Sequence, residues 1–195
     1  ENTIGGDRDD FVSAMLETIE GGYIIAANSE SDISGDKTED CWAPYLNSTD
    51  YWIIKLDAEG TIVWQNTIGG EYKDWITSIN QTADGGYILG GLSRSPITGD
   101  KTEAAFCGGE DLWIIKITSI GTIQWQNTIG GCATDRVNSI EQTADGGYIV
   151  GATSYSGIYG DKTEICYGNS DFWILKLSAI GTIIWQNTIG GNHYD

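Results

Sequence analysis

Trp64-Gln65-Asn66-Thr67-Ile68-Gly69-Gly70 decides the fold, because the chain repeats it at 125–131 and 185–191 and carries its tail, Asn-Thr-Ile-Gly-Gly, at 2–6. Asn2, Asn66, Asn127 and Asn187 are therefore one position of a repeat, spaced 64, 61 and 60 residues apart. Recurrence at a fixed period means that one supersecondary unit is used repeatedly, each copy covering the apolar faces of its neighbours.

Outward from this stretch, the unit between the first two copies reads as four strands. Trp75–Thr82 is a first strand, closed by the turn signal Ala83-Asp84-Gly85-Gly86, and Tyr87–Ser93 is a second. A long loop follows, and Asp111–Ile117 is a third strand, apolar on both faces and so expected to be covered on both. Gly121 marks the next hairpin. In the fourth strand, Thr122–Ile129, Ile123, Trp125 and Ile129 alternate with Thr122, Gln124, Gln126 and Thr128, which predicts one covered face and one wet face. The flanking units copy this plan and differ mainly in the long loop. Ten residues lie between Glu39 and Asp50, seven between Glu103 and Asp111, and six between Glu164 and Asp171.

Four antiparallel strands per unit, with apolar sheet faces that need a neighbour on each side, describe an all-β chain of β-propeller blades. The expected blades are 7–68, 71–129 and 132–189, with 190–195 opening a further unit. A β-solenoid is the alternative fold. In a propeller the first strand lies near the axis, where the small or polar Ser13, Thr77 and Asn138 suit crowding, and the fourth lies at the rim. Three repeats fall short of the roughly four blades that close a ring. The chain therefore reads as a segment of a larger ring or array, or as a unit that associates with copies of itself.

The series Asp-Gly-Gly-Tyr-Ile, Gly-Asp-Lys-Thr-Glu, Asp-x-Trp-Ile-Ile-Lys-Leu and Gly-Thr-Ile-x-Trp-Gln-Asn-Thr-Ile-Gly-Gly resembles the sixty-residue repeats of secreted bacterial β-propellers. It is similar to the SBBP-type repeat and to arrays in surface proteins of Bacteroidetes-type bacteria. The resemblance covers nearly the whole chain. It implies export, often by the type IX route, and transfers no catalytic residue.

Composition restricts the partners. Acidic residues outnumber basic ones 28 to 10, a formal net charge of −18, so a nucleic-acid backbone or an anionic membrane is disfavoured. No apolar run reaches the ~20 residues of a membrane span. Protein partners or self-assembly are expected, and glycans are the further candidate. Cys41, Cys107, Cys132 and Cys166 lack a Cys-x-x-Cys pair, and His193 is the only histidine, so no zinc pattern exists. Isolated cysteines in such a chain suit an extracellular or cell-surface setting, the alternative being buried thiols. A Cys107–Cys132 bridge is the expected pairing of the three connectivities.

Gly-Asp-Lys-Thr-Glu at 35–39, 99–103 and 160–164 has two readings. Asp36, Asp100 and Asp161, with Glu39, Glu103 and Glu164, are candidate Ca²⁺ ligands, Ca²⁺ being the one candidate cofactor. Alternatively the Asp caps backbone N–H groups while the Lys balances its charge. A second recurring set, Asp10, Asp74, Asp135 and Asp195 with Asp50, Asp111 and Asp171, either lines an acidic rim or ties connectors. Trp52, Trp113, Trp173 and Trp64, Trp125, Trp185 read as inter-blade core. Trp42, Tyr45 and Tyr159 are the aromatic candidates for a ligand or partner, and Asn47-Ser-Thr49 is a glycosylation acceptor pattern. Catalysis on a repeat needs unique residues that converge, and no nucleophile–histidine pair is in reach. The expected function is a non-catalytic scaffold or adhesion module of a large exported protein. A carbohydrate-binding propeller is the second reading and a polysaccharide-active enzyme the third.

Overall fold

A computed structural model describes residues 3–42 and 48–193. Among these, twelve strands form three four-stranded antiparallel sheets, each in sequence order and none closed on itself. The first sheet holds β1 (Asp10–Glu17), β2 (Tyr23–Ser29), β3 (Asp50–Leu56) and β4 (Ile62–Ile68). The second holds β5 (Asp74–Gln81), β6 (Tyr87–Ser93), β7 (Asp111–Ile117) and β8 (Ile123–Ile129), and the third β9 (Asp135–Gln142), β10 (Tyr148–Ser154), β11 (Asp171–Leu177) and β12 (Ile183–Ile189). A 3₁₀ turn at Phe106–Gly108 is the one helical element among the described residues. Gly85 (φ 80°) and Gly121 (φ 86°) hold the two hairpin turns of the second sheet in a backbone region that side chains disfavour.

Two apolar layers join the sheets face to face. Ile24, Tyr51, Ile53 and Ile68 of the first sheet pack with Ile76, Tyr87, Leu89 and Trp113 of the second. Ile88, Leu112, Ile114 and Ile129 of the second pack with Val137, Tyr148, Val150 and Trp173 of the third. The middle sheet is therefore covered on both sides, and β6 and β7 are buried at every residue. On the third sheet Phe172 and Ile189 are exposed where their counterparts Leu112 and Ile129 are buried. On the first sheet's face away from the second, by contrast, Trp52, Ile54 and Leu56 are buried with Ile4, Ile25 and Ile62 of the same unit.

The first strands of successive sheets approach one another, β1 to β5 and β5 to β9. Side-chain hydrogen bonds stitch this seam. Asn28 Oδ1 accepts from Ile76 N at 2.7 Å, Thr77 Oγ1 donates to Val137 O at 2.6 Å, and Asn80 Nδ2 donates to Ile140 O at 2.7 Å. Ser13, Thr77 and Asn138 are small or polar because each is the unpaired residue of a β-bulge in its first strand. Period-two reading of the sequence cannot show an inserted residue of this kind.

The fourth strands correct two expectations. Gln126 and Thr128 do not form a wet face: Thr128 is 7 % exposed, and Gln126 Oε1 accepts from Trp113 Nε1 at 3.0 Å. The long loop folds back over this face, which period-two alternation does not register. The second tryptophan ladder is not core throughout. Trp64 lies against Gly121 and donates from Nε1 to Ser119 O at 3.1 Å, Trp125 lies against Gly181, and Trp185 is exposed. These rings clasp the hairpin of the following sheet, and the last one has no following sheet to clasp. Trp113 and Trp173 are core between sheets as expected, whereas Trp52 is buried within the first unit alone.

Candidate functional site

The structure brings the Gly-Asp-Lys-Thr-Glu residues to the sheet junctions, where each member has a separate contact. The Asp reaches backward. Gly69 N donates to Asp100 Oδ2 at 3.2 Å while Asp100 N donates to Gly69 O at 2.9 Å. Asp36 with Gly5 and Asp161 with Gly130 repeat this reciprocal pair. The Glu reaches the outer strand of its own sheet: Thr67 N donates to Glu39 Oε2 at 2.5 Å and Thr128 N to Glu103 Oε2 at 2.7 Å, and Thr188 N likewise meets Glu164. Between them the Lys turns inward.

Lys37, Lys101 and Lys162 are at most 2 % exposed. Their ammonium groups donate to Thr67, Thr128 and Thr188 hydroxyls at 2.8, 2.5 and 2.6 Å. They also lie 6.0, 5.0 and 4.8 Å from the ring centroids of Trp52, Trp113 and Trp173. A buried ammonium is costly unless hydrogen-bonded and paired with opposite charge. Carboxylates of the junction favour that charge with no direct ion pair among the described residues: Asp74, Asp111 and Glu103 for Lys101, and Asp135, Glu164 and Asp171 for Lys162.

Asp50, Asp74, Asp111, Asp135 and Asp171 are fully buried, so they do not line an exposed acidic rim. Each accepts a backbone N–H through Oδ2: Trp42 N at 2.6 Å on Asp50, Gly70 N at 2.7 Å on Asp74, Phe106 N on Asp111, Gly131 N at 2.9 Å on Asp135 and Tyr167 N at 2.5 Å on Asp171. The carboxylates come in pairs across each junction, because Asp74 N donates to Thr49 O at 2.7 Å and Asp135 N to Glu110 O at 2.7 Å. A Cβ on Gly69 would stand 2.2 Å from Asp50 Oδ1, and one on Gly130 2.1 Å from Asp111 Oδ1, so only glycine fits there. The Oδ1 atoms of Asp10, Asp50, Asp74, Asp111, Asp135 and Asp171 are buried and accept no hydrogen bond. Burial, reinforced by the neighbouring Asp74, pushes the Asp50 carboxyl up to about 8. Burial, with Asp135 nearby, pushes Asp111 up to about 7. Burial also raises Asp74 and lowers Lys101. The recurrence of these aspartates was visible in the sequence; their burial was not.

Among the described residues, no three His, Cys, Asp or Glu side chains converge as a metal-binding group. The six motif carboxylates each spend an oxygen on a backbone N–H. We expect a chelator to leave the thermal midpoint unchanged. An ion held at a hundredfold its Kd would contribute about 2.7 kcal/mol, so a rise of several degrees on adding Ca²⁺ would restore the metal reading.

Cys107 and Cys132 form the expected disulfide, with Cα atoms 5.0 Å apart and a sequence separation of 25. It ties the β6–β7 loop to the β8–β9 connector. Replacing both cysteines with serine is expected to cost about 3.5 kcal/mol from the loop closure alone, measured by urea unfolding against the oxidised parent. Cys41 and Cys166 are free and half-buried, and their thiols donate to Ser29 O at 3.2 Å and Ser154 O at 3.1 Å. Burial pushes the Cys41 thiol up to about 12, so it is a poor nucleophile.

Trp42 and Tyr159 do not form one site. Trp42 sits at the junction of the first two sheets and donates from Nε1 to Asp100 Oδ2 at 3.0 Å. Tyr159 sits at the next junction, edge-on to Phe106 with centroids 6.5 Å apart. Tyr45 and Asn47 lie outside the described residues, as does Asp195. No helix among the described residues is long and apolar enough to cross a membrane. Neither a protein-family model nor a curated protein sequence matches the chain.

Proposed function

We propose that this chain is a non-catalytic propeller-type module of an exported surface protein, serving as scaffold and adhesive surface. The observation that carries this reading is the use made of the repeated polar residues. Asp, Lys and Glu of each motif are spent on bonds between or within sheets, and face-to-face packing with a stitched seam of first strands supports a radial arrangement about that seam. Groups so engaged hold a shape and are poor candidates for turnover. The Cys107–Cys132 bridge supports an oxidising, extracellular location, and the resemblance to secreted SBBP-type repeats agrees with it.

The test has two arms. Beads coated with the oxidised, folded chain should adhere to cell or matrix surfaces more than beads coated with heat-unfolded chain. The same folded protein should hydrolyse no glycoside, ester or peptide substrate above the unfolded control. Equal adhesion of both bead types would remove the adhesive role, and a reproducible hydrolytic rate would remove the non-catalytic one.

A further inference from the structure

Each sheet junction carries the same groove, and one copy is built differently. Between the first two sheets a cavity of about 490 Å³ is lined by Glu39, Asp40, Trp42, Asn66, Thr67 and Asp100. Between the second and third, Glu103, Asn127, Thr128 and Asp161 hold the corresponding places around about 320 Å³. Glu39, Asn66, Thr67 and Asp100 therefore belong to the repeat. Asp40 does not, since Ala104 and Ile165 follow the motif in the later units, and the aromatic position three residues after the motif Glu is an indole at Trp42 but Phe106 and Tyr167 in the others. On a repeated scaffold, residues that differ from the pattern and converge in one cavity are where a particular task resides.

Trp42 is placed as a platform. A Cβ at Gly99 would lie 2.9 Å from its Cγ and 3.0 Å from its Cδ2, so the indole rests against the Gly99 backbone. The ring nevertheless stays 54 % exposed, and its edge is fixed by the bond to Asp100. An aromatic plate that is already oriented loses little freedom when a ligand stacks on it. Around it, Glu39 uses Oε2, Asp40 uses Oδ1 from Ile33 N at 2.9 Å, and Asp100 uses Oδ2 in their side-chain hydrogen bonds. Carboxylates accept from hydroxyl and ammonium groups and repel anions. Together with a chain charge of −18, they select against acidic ligands.

We propose that this groove binds one pyranoside residue, neutral or amino-bearing, its C–H face on the Trp42 indole and its polar groups donating to Glu39, Asp40 and Asp100. Isothermal titration of the oxidised chain with glucosamine oligomers, N-acetylglucosamine oligomers and galacturonate oligomers tests this. At least one of the first two should bind with one site per chain, and the galacturonate oligomers should give no heat. Trp42→Ala should weaken binding more than about tenfold, while Phe106→Ala, at the equivalent place in the next unit, should leave it unchanged. Asp40→Asn, which keeps the groove's shape, should weaken the amino oligomer more than the acetylated one. Absence of heat with all three oligomers at millimolar concentration would overturn the proposal. So would binding of galacturonate as tight as the others, or full affinity in Trp42→Ala with an unchanged melting curve.

Discussion

Between about pH 5 and pH 7 the unfolding free energy should fall, with a ceiling of about 5 kcal/mol. The cause is the set of buried aspartates at the sheet junctions. Asp50, pushed up to about 8, and Asp111, pushed up to about 7, are fully buried with an Oδ1 that no donor reaches. A carboxyl raised above its unfolded value keeps a proton in the folded state that the unfolded chain has released. Its contribution is complete below about pH 4 and is lost as pH rises through the folded value, at about 1.4 kcal/mol per pH unit and group. Below that range the opposite sign appears at Asp84. Burial would raise its carboxyl, but the Thr82 hydroxyl and Lys116 outweigh that and hold it near 2, a contribution lost only as pH falls that far. Its exposure to solvent keeps this opposing effect small. Maximum stability is therefore expected on the acidic side of neutral.

General charge repulsion in a chain of −18 would also weaken the fold as pH rises. Asp50→Asn with Asp111→Asn separates the two causes, because an amide cannot release the proton. The double variant should show a much flatter profile by urea unfolding across this range. A parent whose midpoint climbs from about pH 5 to pH 8, or a double variant as steep as the parent, would show that these carboxyls are ionised in the folded protein.

Replacing Lys101, whose pKa burial lowers to about 8, with methionine should cost about 3 kcal/mol at about pH 7. The side chain is 2 % exposed, donates to Thr128 Oγ1 at 2.5 Å and sits 5.0 Å from the Trp113 ring. Asp74, Asp111 and Glu103 all favour its charge against the burial that lowers its pKa. Methionine fills similar space, so the loss is chiefly electrostatic: Asp74, raised by burial to about 6, is largely ionised near neutrality and loses the ammonium. At about pH 5, where those aspartates are largely protonated, the same substitution should cost distinctly less. Arg94→Met, at an exposed position, should stay within about 0.5 kcal/mol. A Lys101→Met loss below about 1 kcal/mol at both pH values would mean that the lysine is not the counter-charge of the junction.

Much of the framework was legible residue by residue. Tyr87–Ser93 and Asp111–Ile117 are β6 and β7 as read, the first strand is shifted by one residue at both ends, and the fourth begins one residue later than read. Cys107–Cys132, chosen among three connectivities, is the bridge that forms. The environment of the recurring charged residues was less legible. The sequence marks Asp100 and Lys101 alike as turn residues, but the chain turns Asp100 toward Gly69 and Lys101 toward Thr128 and Trp113. Likewise Trp42 was visible as a candidate aromatic, while its neighbours Glu39, Asn66 and Asp100 come from three separate elements.

Local pattern alone determined the repeat, its strands and its glycine turns, because hairpin pairing and period-two alternation act between residues close in the chain. Tertiary structure decided which charges are dry. The groups that bury Asp50 come from the next sheet: Gly69 and Gly70 lead into it, and Asp74 begins it. Desolvation is a sum over everything packed around an atom, and for these residues most of that surrounding matter lies a full repeat away.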